Sequence, residues 1–221
     1  MANILLINPN TNQALTDTVV KEALSVAHPS FNIQGFTPRT GLPAIDSEDD
    51  AAISAEACWG ELGDNPGPWD GVIVACYSVH PLVERLQTTW QRPVVGIMQA
   101  SWWAAQRLGL TPYIVTSSES WVSQLQRDLI GAGLAGRVSS IDRGVTAIVD
   151  DPVQAARALQ KVLDEEKRGD VAICLGCAAM SGLETILSPL DVPVIDGVKA
   201  AVEYLRVVLG VGPLDSGRVA L

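Results

Sequence analysis

The sequence is short of positive charge and of long apolar runs. Its 221 residues carry 15 Lys and Arg against 25 Asp and Glu, a formal net charge of −10. A chain without a basic stripe is a poor binder of a phosphate backbone. No apolar run reaches the roughly 18–20 residues that cross a bilayer, and the first one, residues 4–7, has no basic leader and stops at Pro9. We therefore expect a cytoplasmic protein that binds neither nucleic acid nor membrane.

Several motifs of cofactor-binding and hydrolytic enzymes are also missing. The sequence has no G-x-G-x-x-G after its first predicted strand, no P-loop and no G-x-S-x-G elbow. Lysine is scarce and occurs only at Lys21, Lys161, Lys167 and Lys199. A pyridoxal Schiff base is disfavoured, because the lysine nearest a strand end, Lys199, falls inside a predicted helix. We therefore expect a small-molecule enzyme that needs no cofactor.

Cysteine is too rare for a disulfide scaffold. In a chain of this length the four cysteines, Cys58, Cys76, Cys174 and Cys177, indicate reduced thiols. Cys174 and Cys177 form a C-x-x-C pair, but an offset of three places them on opposite faces of a strand. No second such pair supplies further zinc ligands, so metal and redox sites are disfavoured. Cys58 and Cys174 are predicted to be core residues.

What the sequence does have is a regular alternation of short β-branched runs with helical stretches. The runs are continuously apolar, which is typical of parallel strands covered on both faces, and 48% hydrophobic residues can fill a sizeable core. Strands are predicted at residues 4–7, 32–36, 72–75, 94–97, 113–115, 138–141, 171–175 and 192–195. Helices are predicted at residues 13–27, 47–62, 82–89, 100–108, 119–130, 152–167, 183–187 and 198–209. The pattern indicates an α/β fold with mainly parallel sheets.

A weak internal repeat divides this pattern into two halves. Residues 70–76 resemble residues 170–177, which carry one extra residue before the cysteine. Coincidence is the alternative, since strand segments look alike. As a duplication, the repeat predicts two pseudo-symmetric small α/β domains, residues 1–98 and 99–204, with the active site in the cleft between them. The C-terminal segment 205–221 is a candidate to complete the first domain.

The repeat gives two of the cysteines equivalent places. Cys76 and Cys177 each end a buried strand, at the edge where open α/β sheets bind ligands. Backbone N–H groups at a following helix start lower a thiol pKa from about 8.5 toward neutrality. Two such thiols facing one cleft suit stereoinversion at carbon, because one removes a proton while the other supplies one. The alternative is that both cysteines are small core residues.

Polar loops lie close to these positions in the predicted fold. Residues 8–12 follow the first strand with amide and hydroxyl side chains, and residues 116–118 follow a strand in the equivalent place of the second half. Simple turns and caps are the alternative. His80, four residues beyond the first thiol, would orient a substrate, tune the thiol or act structurally. Asp196 would orient a group near the second thiol or cap a helix, and Trp121 would line a pocket or an interface or pack in the core.

Four segments together resemble the Asp/Glu/hydantoin racemase superfamily, in order along nearly the full chain. They are residues 6–12 (LINPNTN), 75–78 (ACYS), 175–180 (LGCAAM) and 193–198 (PVIDGV). The hydantoin and allantoin racemases are the branch that they resemble most, and CYSVHPL, which begins at Cys76, is similar to its fungal members. Many bacterial relatives carry an acidic or small residue in place of the Val-His pair in this stretch.

The resemblance implies a cofactor-independent racemase or epimerase that inverts the carbon next to a carbonyl, with 5-substituted hydantoins or allantoin as substrates. It implies a homo-oligomer and puts Cys76 and Cys177 in the catalytic thiol positions. Backbone N–H groups of the substrate cradle would hold the ring carbonyls and the developing enolate oxygen. The residues expected to bind substrate are Asn10, Ser78, Val79, Thr116, Ser117, Ala178 and Ala179, together with His80 as a candidate near Cys76.

Three alternatives stay open on the sequence alone. An aspartate or glutamate racemase would favour a positive charge for the substrate carboxylate, yet no Arg or Lys adjoins either cysteine motif. Relatives with a single catalytic cysteine are decarboxylases, whereas both cysteines are present here. A non-catalytic small-molecule-binding protein on the same fold is the third alternative.

Overall fold

The strands form two parallel sheets with one topology. A computed structural model describes residues 1–165, 170–188 and 190–212. The strands in these ranges are β1 (Ala2–Ile7), β2 (Phe31–Phe36), β3 (Gly71–Val74), β4 (Val94–Gly96), β5 (Thr111–Thr116), β6 (Arg137–Ser140), β7 (Val171–Gly176) and β8 (Val194–Asp196). Their order is β2-β1-β3-β4 in one sheet and β6-β5-β7-β8 in the other, and every pair is parallel. The predicted α/β class with two pseudo-symmetric halves is confirmed.

Helices connect the strands as the sequence predicts. They are α1 (Gln13–Val26), α2 (Glu48–Leu62), α3 (Pro81–Trp90), α4 (Ile97–Arg107), α5 (Val122–Gly131), α6 (Val145–Asp150), α7 (Pro152–Glu165) and α8 (Gly197–Val208). Short 3₁₀ helices occupy Glu119–Trp121, Ala178–Met180 and Leu183–Thr185. Over the described ranges, no helix is both long and apolar enough to span a membrane.

Two helix predictions need correction, and one helix of the structure was not predicted. The helix predicted at 119–130 is a 3₁₀ turn, capped by the Ser118 hydroxyl that accepts from the backbone N–H of Ser120, followed by α5. The helix predicted at 183–187 is only a 3₁₀ turn. Helix α6 was not predicted. The predicted end of the helix at 152–167 lies outside the described residues.

In the first sheet, strands β1, β3 and β4 bury side chains on both faces, whereas the edge strand β2 buries one face. Successive side chains alternate between the two faces of the sheet, so a strand buried on both faces contributes side chains to two cores. A core against α2 and α3 includes Leu5, Ile7, Val72, Val74, Cys58, Leu82 and Leu86. The opposite face belongs to the main core, which continues into the second half and includes Ile4, Leu6, Ile73, Met98, Ile114 and Leu205. This double burial explains the continuously apolar strands.

Helices α4 and α8 lie against each other, and each contacts strands of both sheets. Their starts approach so closely that only glycine fits: a Cβ on Gly197 would lie 2.7 Å from the carbonyl oxygen of Ile97. The predicted division at residue 98 falls inside α4, and the domain boundaries stay a prediction. Of the segment 205–221, residues 205–208 belong to α8, whereas residues 213–221 lie outside the described part of the chain.

Candidate active site

The loops that follow β1, β3, β5 and β7 line one cavity. Its empty space, including the part open to solvent, is about 440 Å³. Both halves contribute, and the lining residues carry no Lys, Arg, Asp or Glu. They are Pro9, Asn10, Leu15, Ile45, Ala75, Cys76, Tyr77, Thr116, Ser117, Trp121, Val145, Gly176, Cys177 and Ala178. The site is therefore uncharged and lined mostly by apolar groups, with two thiols and a few hydroxyl and amide groups.

The Cys76 thiol lies at the end of β3 and is partly exposed to the cavity. Burial raises the pKa of this thiol to about 12, although the Ser78 hydroxyl, 3.4 Å from the sulfur, opposes the rise. Negative charge on Cys177 raises the pKa of Cys76 further. The two thiols are thus electrostatically coupled, and ionisation of one disfavours ionisation of the other.

The Cys177 thiol lies at the end of β7 and begins the 3₁₀ helix Ala178–Met180. Burial raises its pKa, and the nearby carboxylate of Asp46 raises it too. The Ser117 hydroxyl and the backbone N–H groups of Ala179 and Met180 lower it. The prediction that a helix start brings a thiol pKa toward neutrality is wrong here, because burial outweighs these hydrogen bonds.

A turn rich in asparagine forms the β1 side of the cavity. The fully buried Asn8 amide donates to Asn10 Oδ1 at 2.9 Å, to the Asn12 carbonyl and to Thr16 Oγ1. Asn12 caps α1 by accepting from the Leu15 N–H. Since Asn10 Oδ1 also accepts from the Asn12 N–H at 2.9 Å, the group that Asn10 can offer a ligand is its Nδ2 amide.

The equivalent loop of the second half is also fixed by hydrogen bonds. Thr116 Oγ1 donates to the Gly176 carbonyl at 3.0 Å, which ties the end of β5 to the end of β7. A Cβ on Gly176 would lie 2.7 Å from the Ile114 side chain, so glycine is needed directly before Cys177. The Ser117 carbonyl accepts from the Arg143 N–H. The strand ends thus hold Cys177 and Ser117 together.

The structure brings most of the predicted substrate-binding residues to the cavity, but not all. Asn10, Thr116, Ser117 and Ala178 line it together with both catalytic candidates. Ser78 and Ala179 are buried and do not line the cavity. The Ser78 hydroxyl shares a hydrogen bond with the Cys76 thiol in which either group can be the donor, and the Ala179 N–H donates to the Cys177 sulfur. The side chain of Val79 is 61% exposed and does not line the cavity.

His80 is placed as a structural residue rather than a cavity residue. Its Nδ1 accepts from the Leu82 N–H at 3.3 Å, which caps α3, and its Nε2 lies 2.9 Å from Ser54 Oγ. The Ser54 hydroxyl donates to the Ala51 carbonyl, so Nε2–H is the donor to Ser54 and the ring is neutral. Burial lowers the pKa of His80 to about 4. His80 does not line the cavity.

Asp196 also acts as a cap. Its carboxylate accepts from the N–H groups of Val198 and Lys199 at the start of α8, and from the Ser181 hydroxyl at 2.6 Å. Carboxylate oxygens of Asp196, Glu22 and Glu184 lie within 4.8 Å of one another, a spacing that would suit a metal ion. The Lys199 ammonium pairs with both glutamates instead, and these residues do not line the cavity.

Seven residues that line the cavity were not predicted as site residues. They are Pro9, Leu15, Ile45, Ala75, Tyr77, Val145 and Gly176, and Trp121 was named only as one possibility among several. Tyr77 adjoins Cys76 in the sequence, so its position was a signal that could have been used. Ile45 and Val145 lie in segments that look like ordinary loops and helix starts, and only the packing of the two halves brings them to the cavity.

Known proteins resemble this chain over nearly its full length. Residues 4–205 match the family described as Asp/Glu/Hydantoin racemase. A hydantoin racemase of Rhizobium meliloti is 32% identical over 218 residues, covering 95% of this chain and 90% of that protein. A solved allantoin racemase from Pseudomonas fluorescens is 33% identical with a TM-score of 0.83, covering 99% of this chain and 94% of that one. A second, from Klebsiella pneumoniae, is 31% identical with a TM-score of 0.78, covering 98% and 92%. The chain belongs to the Asp/Glu/hydantoin racemase family and is an isomerase that acts on a small molecule.

Proposed function

We propose that this isomerase is a two-thiol racemase of 5-substituted hydantoins or allantoin. The observation that carries the proposal is that Cys76 and Cys177, at equivalent strand ends of the two halves, line one uncharged cavity. The names of the hydantoin racemase and allantoin racemase relatives support the substrate class.

Inversion needs one thiolate and one thiol at a time. The thiolate takes the proton from the carbon next to the ring carbonyl, and the electron pair left behind moves onto the carbonyl oxygen as an enolate. The opposite thiol then delivers its proton to the other face of that carbon and becomes a thiolate. Proton and charge are conserved, and the reverse reaction uses the same groups in exchanged roles.

Cys177 is the better candidate for the first thiolate. One side-chain hydroxyl and two backbone N–H groups stabilise its ionised form, whereas the Ser78 hydroxyl alone does so at Cys76. Because the charge of one thiolate raises the pKa of the other thiol, the two thiols do not ionise together, and loss of a proton from one leaves the other with a transferable proton. This is the arrangement that a two-base inversion requires.

The cavity favours a neutral ring over a free amino acid. An amino-acid carboxylate would call for a cationic partner, yet no Lys or Arg is among the lining residues, and Asp46 is the carboxylate that acts on Cys177. The Asn10 amide is available to a ring carbonyl. The apolar side chains of Ile45, Trp121 and Val145 would contact the substituent at position 5.

Proton NMR in D₂O tests the proposal. Single enantiomers of 5-substituted hydantoins, allantoin, aspartate and glutamate are incubated with and without protein, since hydantoins and allantoin racemise slowly alone. We expect protein-dependent loss of the α-proton signal for a hydantoin or allantoin, with inversion confirmed by chiral chromatography. Exchange seen only with aspartate or glutamate would show that the substrate is a free amino acid rather than a hydantoin or allantoin. No exchange in any compound would refute the proposal.

Cysteine variants then test the two-thiol assignment. Cys76→Ala and Cys177→Ala should each abolish inversion, while deuterium exchange in one enantiomer survives in each. Cys58→Ala is the matched control, because this thiol is buried in the core against α2 and α3 and does not line the cavity. Full racemisation by either cavity variant would refute the assignment.

A further inference from the structure

The two-thiol mechanism gives no role to the hydroxyl of Tyr77, although this hydroxyl is buried and hydrogen-bonded beside the cavity. The side chain directly follows Cys76 and lines the cavity, while only 5% of its surface is exposed. Its hydroxyl lies 2.7 Å from Ser101 Oγ, on helix α4. The Ser101 hydroxyl itself donates to the Met98 carbonyl at 2.8 Å, so the Tyr77 hydroxyl is the donor to Ser101.

The same hydroxyl also contacts the strand that carries the second thiol. The thiol of Cys174, on β7, interacts with both the Tyr77 and the Ser101 hydroxyls. Cys174 is fully buried and lies three residues before Cys177. A side chain from the Cys76 loop is therefore joined, through one buried polar cluster, to α4 and to the strand that ends at Cys177.

The position after the second thiol carries no group equivalent to the Tyr77 hydroxyl. The residue that follows Cys177 is Ala178, which has no polar side chain. The hydrogen bond between Cys76 and Ser78 lies within the same loop. Tyr77 thus connects the Cys76 loop to the second half through side-chain hydrogen bonds.

We propose that Tyr77 is a positioning residue whose buried hydroxyl, bonded to Ser101 and packed against Cys174, holds the Cys76 thiol in register with Cys177. This inference rests on the proposed two-thiol mechanism. Inversion needs the two sulfurs on opposite faces of one carbon, and a displacement of about 1 Å in a reacting group costs on the order of a hundredfold in rate. A buried hydrogen bond at the loop that carries one sulfur is a direct way to limit such displacement.

Thiol alkylation tests the positioning without requiring turnover. Iodoacetamide is applied to the wild type, Tyr77→Phe and Ser101→Ala, and modification of each cysteine is followed by peptide mass spectrometry. We expect the rate at Cys76 to rise about fivefold in both variants, the equivalent of one lost neutral hydrogen bond, while Cys58 stays at its wild-type rate. An unchanged rate at Cys76, or an equal rise at Cys58 and Cys76, would overturn the inference, because the latter is the signature of general unfolding.

Tyr113→Phe is the matched control. Tyr113 is fully buried and its hydroxyl donates to Ser139 at 3.0 Å, but it does not line the cavity. This variant loses a tyrosine hydroxyl of similar burial in the second sheet. We expect it to leave the alkylation rate at Cys76 unchanged, and a rise like that of Tyr77→Phe would contradict a specific role for Tyr77.

The ratio of exchange to inversion in D₂O is the second readout. When the Cys76 thiol is displaced from its position opposite Cys177, the enolate intermediate is reprotonated by the same thiol that removed the proton. Tyr77→Phe should therefore put more deuterium into recovered starting enantiomer for each inversion, by about fivefold, with little change in KM. An unaltered ratio would overturn the inference even if kcat fell. Absence of turnover in the wild type would count against the proposed function alone, since the alkylation result stands independently.

Discussion

Acid stability is the property that reports most directly on His80. The ring is neutral, its Nδ1 accepts the N–H of Leu82, and its Nε2–H donates to Ser54. Protonation of Nδ1 would point a second N–H at the Leu82 N–H, which is itself a donor, and would place a positive charge in the core. The pKa of His80 is lowered from 6.5 to about 4. The unfolded chain therefore binds this proton first as the pH falls, so stability conferred by the neutral ring is present above pH 6.5 and is lost toward pH 4.

The magnitude follows from the two pKa values. One tenfold change in proton affinity corresponds to about 1.4 kcal/mol. His80 should therefore account for a loss of about 3 kcal/mol of unfolding free energy between pH 6.5 and 4. His80→Asn removes the titrating ring while keeping a side chain that caps helices well. We expect the variant to lose stability less steeply in acid than the wild type.

Urea unfolding at pH 7, 5.5 and 4.5 measures this difference. Carboxylates titrate in both proteins, so the informative quantity is the stability of the wild type minus that of His80→Asn at each pH. His28→Asn is the control, because it removes the other histidine of the sequence, which lies outside the hydrophobic core. Parallel pH dependence of the wild type and His80→Asn would refute the reasoning. A large rise in KM in His80→Asn at pH 8 would instead support the predicted contact with substrate.

Further predictions concern the first thiol, alkaline stability and helix packing. Ser78→Ala should raise the pKa of Cys76 and lower kcat by about fivefold, as measured by the pH dependence of racemisation. Burial raises the pKa of Cys58 from 9.0 to about 12. As the pH rises, the unfolded chain therefore releases this proton first, and the free energy of unfolding falls above pH 9. Cys58→Ala should make that fall shallower by about 1.4 kcal/mol per pH unit, as measured by urea titrations at pH 9, 10 and 11. Gly197→Ala should cost about 1–3 kcal/mol, because its Cβ would meet the backbone of α4, whereas Gly60→Ala in the exposed face of α2 should be neutral or stabilising in thermal unfolding. Equal effects of the two glycine substitutions on thermal unfolding would show that the close approach of Gly197 to Ile97 does not determine the loss of stability.

The secondary structure was largely predictable because its signals are local. The apolar run 171–175 corresponds to β7, and the helix predicted at 47–62 corresponds to α2, which Ser47 caps by accepting from the Asp50 N–H. The unpredicted α6 and the 3₁₀ turn at Leu183–Thr185 are short segments whose geometry depends on their neighbours. Helices of one or two turns gain little from intrinsic propensity, so tertiary packing decides them.

The site was predictable to the extent that it follows strand ends. The repeat assigned equivalent places to Cys76 and Cys177, and parallel sheets bring the carboxyl ends of their strands to one edge. The thiol pKa values were not predictable in this way. A thiol at a helix start is stabilised as a thiolate, but burial acts in the opposite direction, and the sequence does not give the amount of solvent removed.

The sequence by itself determined the α/β alternation, the two-fold repeat and the pair of cysteines, because each depends on local pattern and spacing. Only the tertiary structure decided that His80 is a cap, that Ile45 and Val145 line the cavity, and that the Tyr77 hydroxyl reaches Ser101. These facts depend on which elements pack together across the two sheets. Contacts between residues far apart in the chain arise from packing and burial, which a local pattern does not encode.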